Sequence, residues 1–134
     1  MRVFLDTNVL VSAFTARGLS ADVFRLVVAE HRLLTGQVNL EELRRVLLRR
    51  MHAPREFVTA IERLLRDHFI VPKPARPLDV RIRNAADRWV LASAVAGEAD
   101  VLVTGDKDLL SASEAAPLPV LDPRGFWKLA SRTR

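Results

Sequence analysis

The chain of 134 residues has the length of one common domain, and with 49% hydrophobic residues it can bury a core without cross-links. It has no cysteine, which excludes disulfides, zinc–thiolate sites and a cysteine nucleophile. The formal net charge is +5, and all but three of the 21 basic residues are arginine. Guanidinium groups suit phosphate, so a nucleic-acid partner is one explanation and a general arginine bias is the other.

No targeting or membrane-spanning segment is evident in the sequence. The apolar opening meets a charge at Asp6, far too early for a signal peptide. No apolar run approaches the roughly 20 residues that a membrane-spanning helix needs. We therefore expect a soluble protein of the cytoplasm.

The hydrophobic pattern of the first half alternates between short apolar runs and segments of helical periodicity. It predicts a buried strand, a short helical turn, a helix with Ser20 as its N-cap, a second strand ended by Gly36, and an amphipathic helix. In chain order these elements cover residues 2–5, 9–15, 20–31, 32–35 and 38–51.

The second half is interrupted by a proline-rich stretch at residues 71–77, where a helix is forbidden, and we expect residues 73–80 to form an internal loop. Before the loop we predict a strand at 70–71 and a helix opened by Pro54. The buried stripe of that helix is predicted to be Phe57, Ile61, Leu64, Leu65 and Phe69. After the loop we predict a helix at 85–96 ended by Gly97, strands at 101–103 and 119–121, a helix at 125–131, and a basic tail at 129–134.

Strands that alternate with helices throughout predict an α/β fold. We expect a single three-layer α/β/α domain over residues 1–134, with a mostly parallel sheet and helices on both of its faces. In such sheets ligands bind outside the carboxyl ends of the strands. Acids placed directly after predicted strands are therefore the first candidates for a functional site.

Two acids meet this condition. Asp6 follows the first strand, and Asp106 follows the strand at 101–103 after Thr104 and a glycine. Each alone could cap a helix or form a turn, but two acids that end two buried strands would face one crevice. Thr7 and Asn8 could hydrogen-bond a metal ligand or a phosphate there, or could cap a turn.

Other acids have weaker claims from the residues alone. Glu42 lies beside the buried face of an amphipathic helix, and its neighbour Glu41 fits equally well by composition. Asp87 lies in the first turn of a helix, where a carboxylate also complements the helix dipole. Asp108 could reach the same cation as Asp106.

The residue types point to oxygen ligands for any metal. There is no cysteine, and the three histidines share no ligand spacing, so we interpret them as structural. Clustered carboxylates repel one another unless a cation neutralises them. Hard oxygen ligands favour Mg²⁺ or Mn²⁺.

Three stretches together resemble the PIN-domain family: VFLDTNVLVSAF near the start, NLEELRRVL in the middle, and ADRWVLASAVAGEADVLVTGDKDLL further on. The resemblance runs from about Arg2 to Trp127, and the chain is similar to the toxins of VapC-type toxin–antitoxin pairs. It implies an endoribonuclease that depends on one or two Mg²⁺ or Mn²⁺ ions. It also implies a cognate antitoxin as partner and a homodimer.

Carried over residue by residue, the resemblance implies four catalytic, metal-binding acids: Asp6, Glu42, Asp87 and Asp106. The E-L-x-x-V-L pattern favours Glu42 over Glu41. The supporting polar residues are Thr7, Asn8, Thr104 and Asp108. Relatives often carry an Asp three positions before the third acid and a Ser six positions before the middle Glu, where this chain has Asn84 and Gly36.

Three rival functions stand beside this one. A catalytically silent module of the same fold would bind RNA or a protein partner without cleaving. A receiver-type phosphoacceptor domain would need an acidic pair after the first strand, which here ends in one acid followed by Thr-Asn. A DNA flap-type nuclease would need an additional helical arch, for which the chain is short. Nothing in the sequence identifies the RNA target.

Overall fold

A computed structural model describes residues 1–132 of the chain. All strands in this part form one sheet, in the order β3-β2-β1-β4-β5, and every neighbouring pair is parallel. The strands are β1 (Arg2–Leu5), β2 (Arg32–Gly36), β3 (Phe69–Val71), β4 (Val101–Val103) and β5 (Val120–Leu121). The predicted mostly parallel sheet is confirmed.

Seven α-helices lie within residues 1–132, and one of them continues into a π-helical turn. They are α1 (Thr7–Thr15), α2 (Leu19–Glu30), α3 (Gln37–Arg45), α4 (Arg55–Arg66), α5 (Ala85–Ala96), α6 (Lys107–Ser111) and α7 (Pro123–Arg132), with the π turn at Val46–Arg50 after α3. Within this part of the chain no helix combines the length and apolar character that crossing a membrane requires.

The sheet separates two apolar cores, which confirms the three-layer architecture. Because side chains alternate along a strand, Val3 and Leu5 face one core while Phe4 faces the other. The first core is closed by α1, α2, α3, α4 and α7, and the second by α5 and α6. Residues covered on both faces of a sheet are apolar, which is why β4 and the part of β1 after Arg2 are continuous hydrophobic runs.

The strand order determines where a ligand can bind on this sheet. From β1 the chain proceeds to β2 on one side, and later returns to β4 on the other side of β1. At such a reversal the connections leave the sheet in opposite directions and open a crevice at the carboxyl ends of the two strands. Asp6 and Thr104 are the first residues beyond the ends of β1 and β4.

Two predicted helix boundaries in the first half were wrong. Helix α2 begins at Leu19 with Gly18 as its N-cap, so Ser20 lies in the first turn. Gly18 has a φ of 146°, a conformation that glycine adopts freely and that sets the start of the helix. The predicted helix at 38–51 is α3 followed by the π turn, and Gly36 is the last residue of β2 rather than a break after it.

The predicted buried stripe of α4 was partly wrong. Ile61 and Leu65 are buried, but Phe57, Leu64 and Phe69 are 39%, 42% and 50% exposed. Val58 takes the inward position instead, because 58, 61 and 65 share one helix face and residues 57 and 64 lie about 100° away from it. Phe69 is covered in part by the Arg2 guanidinium, 5.3 Å from the ring centroid.

Two features at the carboxyl side also differ from the prediction. The short helix α6 was not predicted, although its N-cap is Asp106, for which capping a helix was one of the alternatives considered. The expected basic tail at 129–134 overlaps α7 as far as Arg132, and its last two residues lie outside the described residues. The expected loop at 73–80 has neither helix nor strand.

Candidate acidic active site

A cleft of about 800 Å³ lies over the carboxyl ends of the central strands. Its walls come from α1, from α3 with the π turn, and from the first turns of α5, with Asp106 at the start of α6. All four acids expected from the resemblance line it: Asp6, Glu42, Asp87 and Asp106. Within residues 1–132 no histidine is among its lining residues, consistent with oxygen ligands alone.

Asp6 is held in one orientation by four hydrogen-bond donors. Its Oδ1 accepts from the backbone N–H of Thr7 at 2.8 Å and from Asn39 Nδ2 at 3.0 Å. Its Oδ2 accepts from Thr104 Oγ1 at 2.7 Å and from Asn8 Nδ2 at 3.4 Å. Asp6 is also the N-cap of α1, so the local role and the site role coexist in one carboxylate.

The predicted supporting residues tie the ends of β1 and β4 together. Asn8 Oδ1 accepts from the backbone N–H of Gly105 at 2.9 Å, and Asn8 Nδ2 donates to Thr104 Oγ1 at 3.4 Å. Thr104 Oγ1 in turn accepts from the backbone N–H of Asp106 at 3.0 Å. The network therefore fixes Asp106 relative to Asp6 across the crevice.

Asn39 is a site residue that the sequence analysis missed. It is 1% exposed, and its Nδ2 donates both to Asp6 Oδ1 and to Thr7 Oγ1, each at 3.0 Å. The sequence did contain an indication of this role. Asn39 lies with Leu40 and Leu43 on the buried face of α3, and a buried amide needs a polar partner.

Gly36 leaves the space that the Asn39 side chain occupies. A Cβ at position 36 would lie 2.8 Å from Asn39 Oδ1 and 3.2 Å from Ser93 Oγ, closer than real Cβ atoms approach in the first case. Asn39 Oδ1 has no hydrogen-bond partner among residues 1–132. The absence of a side chain at Gly36 is therefore matched to the asparagine three residues later.

Asp87, Asp106 and Asp108 form the tightest acidic group of the described residues. One carboxylate oxygen from each lies within 4.8 Å of the others. Asp106 caps α6 by accepting the backbone N–H of Asp108 at 2.8 Å, which brings the two acids together. The close group therefore contains Asp108 and two of the four acids implied by the resemblance, and it does not contain Asp6 or Glu42 among the described residues.

Asp87 differs from Asp6 in its surroundings. Asp87 is only 6% exposed, and its Oδ2 has no hydrogen-bond partner in the described part of the chain. It is placed by the first turn of α5, whose N-cap Asn84 accepts the Ala86 N–H at 3.0 Å and is itself exposed. Asn84 therefore serves the helix end here rather than adding a carboxylate.

Both buried aspartates are harder to ionise than a solvated carboxyl. Burial raises the pKa of Asp6 to about 6, opposed by its hydrogen bonds and reinforced by the charges of Glu42 and Asp106. Burial raises the pKa of Asp87 to about 7, and the charge of Asp106 raises it further than that of Asp6 does. The cleft therefore concentrates negative charge that the protein alone does not neutralise.

The geometry separates Glu42 from Glu41. Glu42 is half-buried, and its charge contributes to the raised pKa of Asp6, so it lies within electrostatic reach of the site. Glu41 is exposed, and the Gln37 side chain donates to it at 3.5 Å. Both line the cleft, but Glu42 is the one coupled to Asp6.

A basic wall faces the acids. Arg45, Arg49 and Arg50 line the cleft from the end of α3 and the π turn, together with Lys73 from the loop after β3. None of the four has a carboxylate partner within residues 1–132, where the ion pairs are Arg25–Asp22 and Arg44–Glu62. The cleft is thus lined both by acids and by cations that have no carboxylate partner within residues 1–132.

The donor set fits a divalent cation. Three carboxylate oxygens within 4.8 Å, one of them on a buried residue with an unpartnered oxygen, need a positive charge between them. Every available ligand atom is oxygen, as Mg²⁺, Mn²⁺ and Ca²⁺ prefer.

Comparison with known proteins agrees with this architecture. A sequence model of the family described as PIN domain matches residues 2–108. A comparison with curated proteins gives no significant match.

Several solved structures share the fold at low sequence identity. VapBC2 from Rickettsia felis, bound to a promoter DNA fragment, is 18% identical, with a TM-score of 0.65 over 91% of this chain and 98% of that one. FitAcB from Neisseria gonorrhoeae is 18% identical, with a TM-score of 0.64 over 91% and 98%. VapC20 from Mycobacterium tuberculosis, described as a toxin that cleaves the sarcin–ricin loop, is 20% identical, with a TM-score of 0.60 over 82% and 94%.

Proposed function

This chain belongs to the PIN-domain family, and on that premise we propose that it is a metal-dependent endoribonuclease. The observation that carries the proposal is the close group of Asp87, Asp106 and Asp108, of which the first two line one cleft together with the hydrogen-bonded Asp6. Neighbouring carboxylates repel one another, and such groups are typical of sites that hold a cation for phosphodiester chemistry.

The cation would be Mg²⁺ or Mn²⁺, and one or two ions would be held by Asp6, Glu42, Asp87 and Asp106, with Asp108 as an additional ligand. When bound, the ion supplies a Lewis acid for the phosphate oxygens and lowers the pKa of a coordinated water. The oxygen-only donor set supports this choice, since softer metals favour thiolate or imidazole ligands.

The protein's own groups orient the reactants. Thr7, Asn39, Thr104 and Asn8 hold the Asp6 carboxylate in one rotamer. The free guanidinium groups of the basic wall bind phosphates next to the scissile one. Hydrolysis then forms a bond from water oxygen to phosphorus and breaks the bond to the 3′ oxygen, which takes up a proton. The products are a 5′-phosphate and a 3′-hydroxyl.

A matched pair of variants tests this proposal. Asp106→Asn keeps the size of the side chain and removes a ligand charge, so RNA cleavage with Mg²⁺ or Mn²⁺ should fall on the order of a hundredfold or more. Asp79→Asn, an exposed acid outside the cleft, should cleave like the unmodified chain. Equal cleavage by the two variants, or cleavage that persists in EDTA, contradicts the proposal.

The structural neighbours support a biological role as the toxin of a toxin–antitoxin pair. VapBC2 and FitAB were both solved bound to DNA fragments, the first from the promoter of the pair. We propose a cognate antitoxin that covers the cleft, and a homodimer of this chain in the cytoplasm. Co-expression with the product of an adjacent small reading frame should give a stable complex that no longer cleaves RNA.

The catalytically silent alternative predicts that the protein binds RNA without cleaving it. A silent module would bind RNA through Arg45, Arg49 and Arg50 but leave it intact at every metal concentration. Denaturing gels of labelled RNA incubated with Mn²⁺, run beside a binding assay on the same sample, separate the two functions.

A further inference from the structure

One aromatic side chain faces the cleft, and a cation covers it. Trp89 lies on the cleft side of α5, which also presents Ala86, Asp87 and Val90. Lys73, in the loop after β3, places its Nζ 4.7 Å from the centroid of the Trp89 ring. Trp89 is half-buried, so part of the indole remains accessible from the cleft.

Among the described residues, Lys73 has no stronger partner than the Trp89 ring. Within residues 1–132 no carboxylate pairs with Lys73, although several acids line the same cleft. A cation–π contact at a partly exposed site is worth on the order of 1 kcal/mol. A phosphate would compete for the ammonium, and a flat aromatic ligand would compete for the indole.

The surroundings favour a ligand that carries both groups. Arg45, Arg49 and Arg50 line the same cleft without carboxylate partners, so a chain of phosphates can extend from the acids along this wall. A ligand with regularly spaced phosphates and flat bases is a nucleic-acid strand. Base–aromatic stacking combined with a cationic groove is the usual mode of single-strand binding.

We propose that Trp89 is a stacking surface for one unpaired nucleobase of the RNA substrate, and that Lys73 leaves the ring to bind a phosphate of the same strand. This inference rests on the proposed nuclease function and adds to it one residue that contacts a base and one that contacts a phosphate. A base in a duplex has both faces covered by its neighbours and cannot stack on the indole, whereas an unpaired base can.

The chain offers an internal optical probe. It has two tryptophans and no tyrosine, and the second tryptophan, Trp127, lies on α7 outside the cleft. Trp127→Phe leaves Trp89 as the reporter, and Trp89→Phe leaves Trp127 as the matched control. Circular dichroism and thermal unfolding establish that both variants remain folded.

Each variant is titrated in EDTA, so that nothing is cleaved, with a single-stranded oligoribonucleotide of about six nucleotides. A second titration uses a strand with the same number of phosphates but no bases, and a third uses a duplex. We expect the single strand to quench Trp127→Phe strongly, the abasic strand and the duplex to quench it weakly, and Trp89→Phe to respond to none.

Affinity gives a second measurement that does not depend on fluorescence. Trp89→Ala should weaken binding of the single strand about tenfold and leave binding of the abasic strand unchanged. Lys73→Ala should weaken both, because it removes a phosphate contact. Equal quenching by abasic and base-containing strands, or equal loss of affinity for both in Trp89→Ala, would overturn the stacking site.

The two proposals fail in different ways. Metal-dependent cleavage by Trp127→Phe without base-dependent quenching refutes the stacking site and leaves the nuclease intact. Base-dependent quenching without cleavage at any metal concentration refutes the nuclease and shows a single-strand binding module.

Discussion

The two sides of the acidic cleft are built differently. Asp6 is almost fully buried, yet four donors surround its two oxygens. Asp87 is about as buried, but its Oδ2 has no donor and its nearest charged neighbours are acids. Hydrogen-bond donors of the protein therefore stabilise the charge of the Asp6 carboxylate. The charge of Asp87 has no such donor at Oδ2 among the described residues and needs a bound cation to balance it.

The contrast predicts opposite effects of the same chemical change. Asp6→Asn replaces one carboxylate oxygen with an NH₂ group, which then faces two of the four donors, so we expect the metal-free protein to lose about 2–4 kcal/mol. Asp87→Asn removes a buried charge without breaking a hydrogen bond of its Oδ2, so we expect a gain on the order of 1 kcal/mol at pH 7.5. Urea unfolding in EDTA measures both, with Asp79→Asn as the control. Losses of similar size in the two variants would show that the sides are alike.

Stability should also fall as pH rises. The pKa of Asp6 is raised to about 6 and that of Asp87 to about 7, so the folded protein keeps protons that the unfolded chain loses near pH 4. The unfolded state binds fewer protons in this window, and the free energy of unfolding therefore decreases from about pH 4 to pH 7. Metal-free thermal unfolding at pH 5 and pH 7.5 checks this, and Asp87→Asn should flatten the upper half of the curve. A profile that rises through this range in both proteins contradicts the raised pKa values.

The donor side depends on a packing match between Gly36 and Asn39. Gly36→Ala should cost about 1–3 kcal/mol, because its Cβ would meet Asn39 Oδ1 at 2.8 Å. In an Asn39→Ala background most of that cost should disappear. Gly105→Ala is a suitable control, since a Cβ there meets Asn8 Oδ1 at an ordinary 3.5 Å. Additive losses in the double variant would mean that the two positions are independent.

The smallest expected effect concerns the basic wall. Arg49→Ala removes a free cation without touching the acids, so it should weaken RNA binding roughly threefold to tenfold at low salt and reduce the salt dependence. Arg63→Ala, exposed on α4 away from the cleft, should leave binding unchanged. Equal effects of both substitutions would indicate that net charge, rather than this wall, holds RNA.

The sequence predicted the features that depend on a short stretch of chain and on its place in the sheet. β1 and β4 read as buried strands because both faces are covered, and Asp6 and Asp106 follow from strand-end geometry alone. Glu42 needed the family resemblance, because composition does not distinguish it from Glu41 and only the folded helix brings it near Asp6.

Other features depend on contacts between distant segments. Asn39 meets Asp6 from a different element, 33 positions along the chain, and no local pattern encodes that hydrogen bond. Asp108 joins Asp87 only through the α6 cap and the placement of α5. The exposure of Phe57 and Leu64 reflects a choice between two apolar faces of α4, which packing decides and periodicity does not.

The most direct test of the account is a Mn²⁺ titration by isothermal calorimetry at pH 7, in two buffers of different ionisation heat. We predict binding with release of protons, because the cation displaces the proton that the raised pKa of Asp87 retains at this pH. Binding should be lost in Asp106→Asn and kept in Asp79→Asn, and Asp87→Asn should release fewer protons. Equal Mn²⁺ binding by the unmodified chain and Asp106→Asn, or no binding at all, would contradict a metal site at these acids.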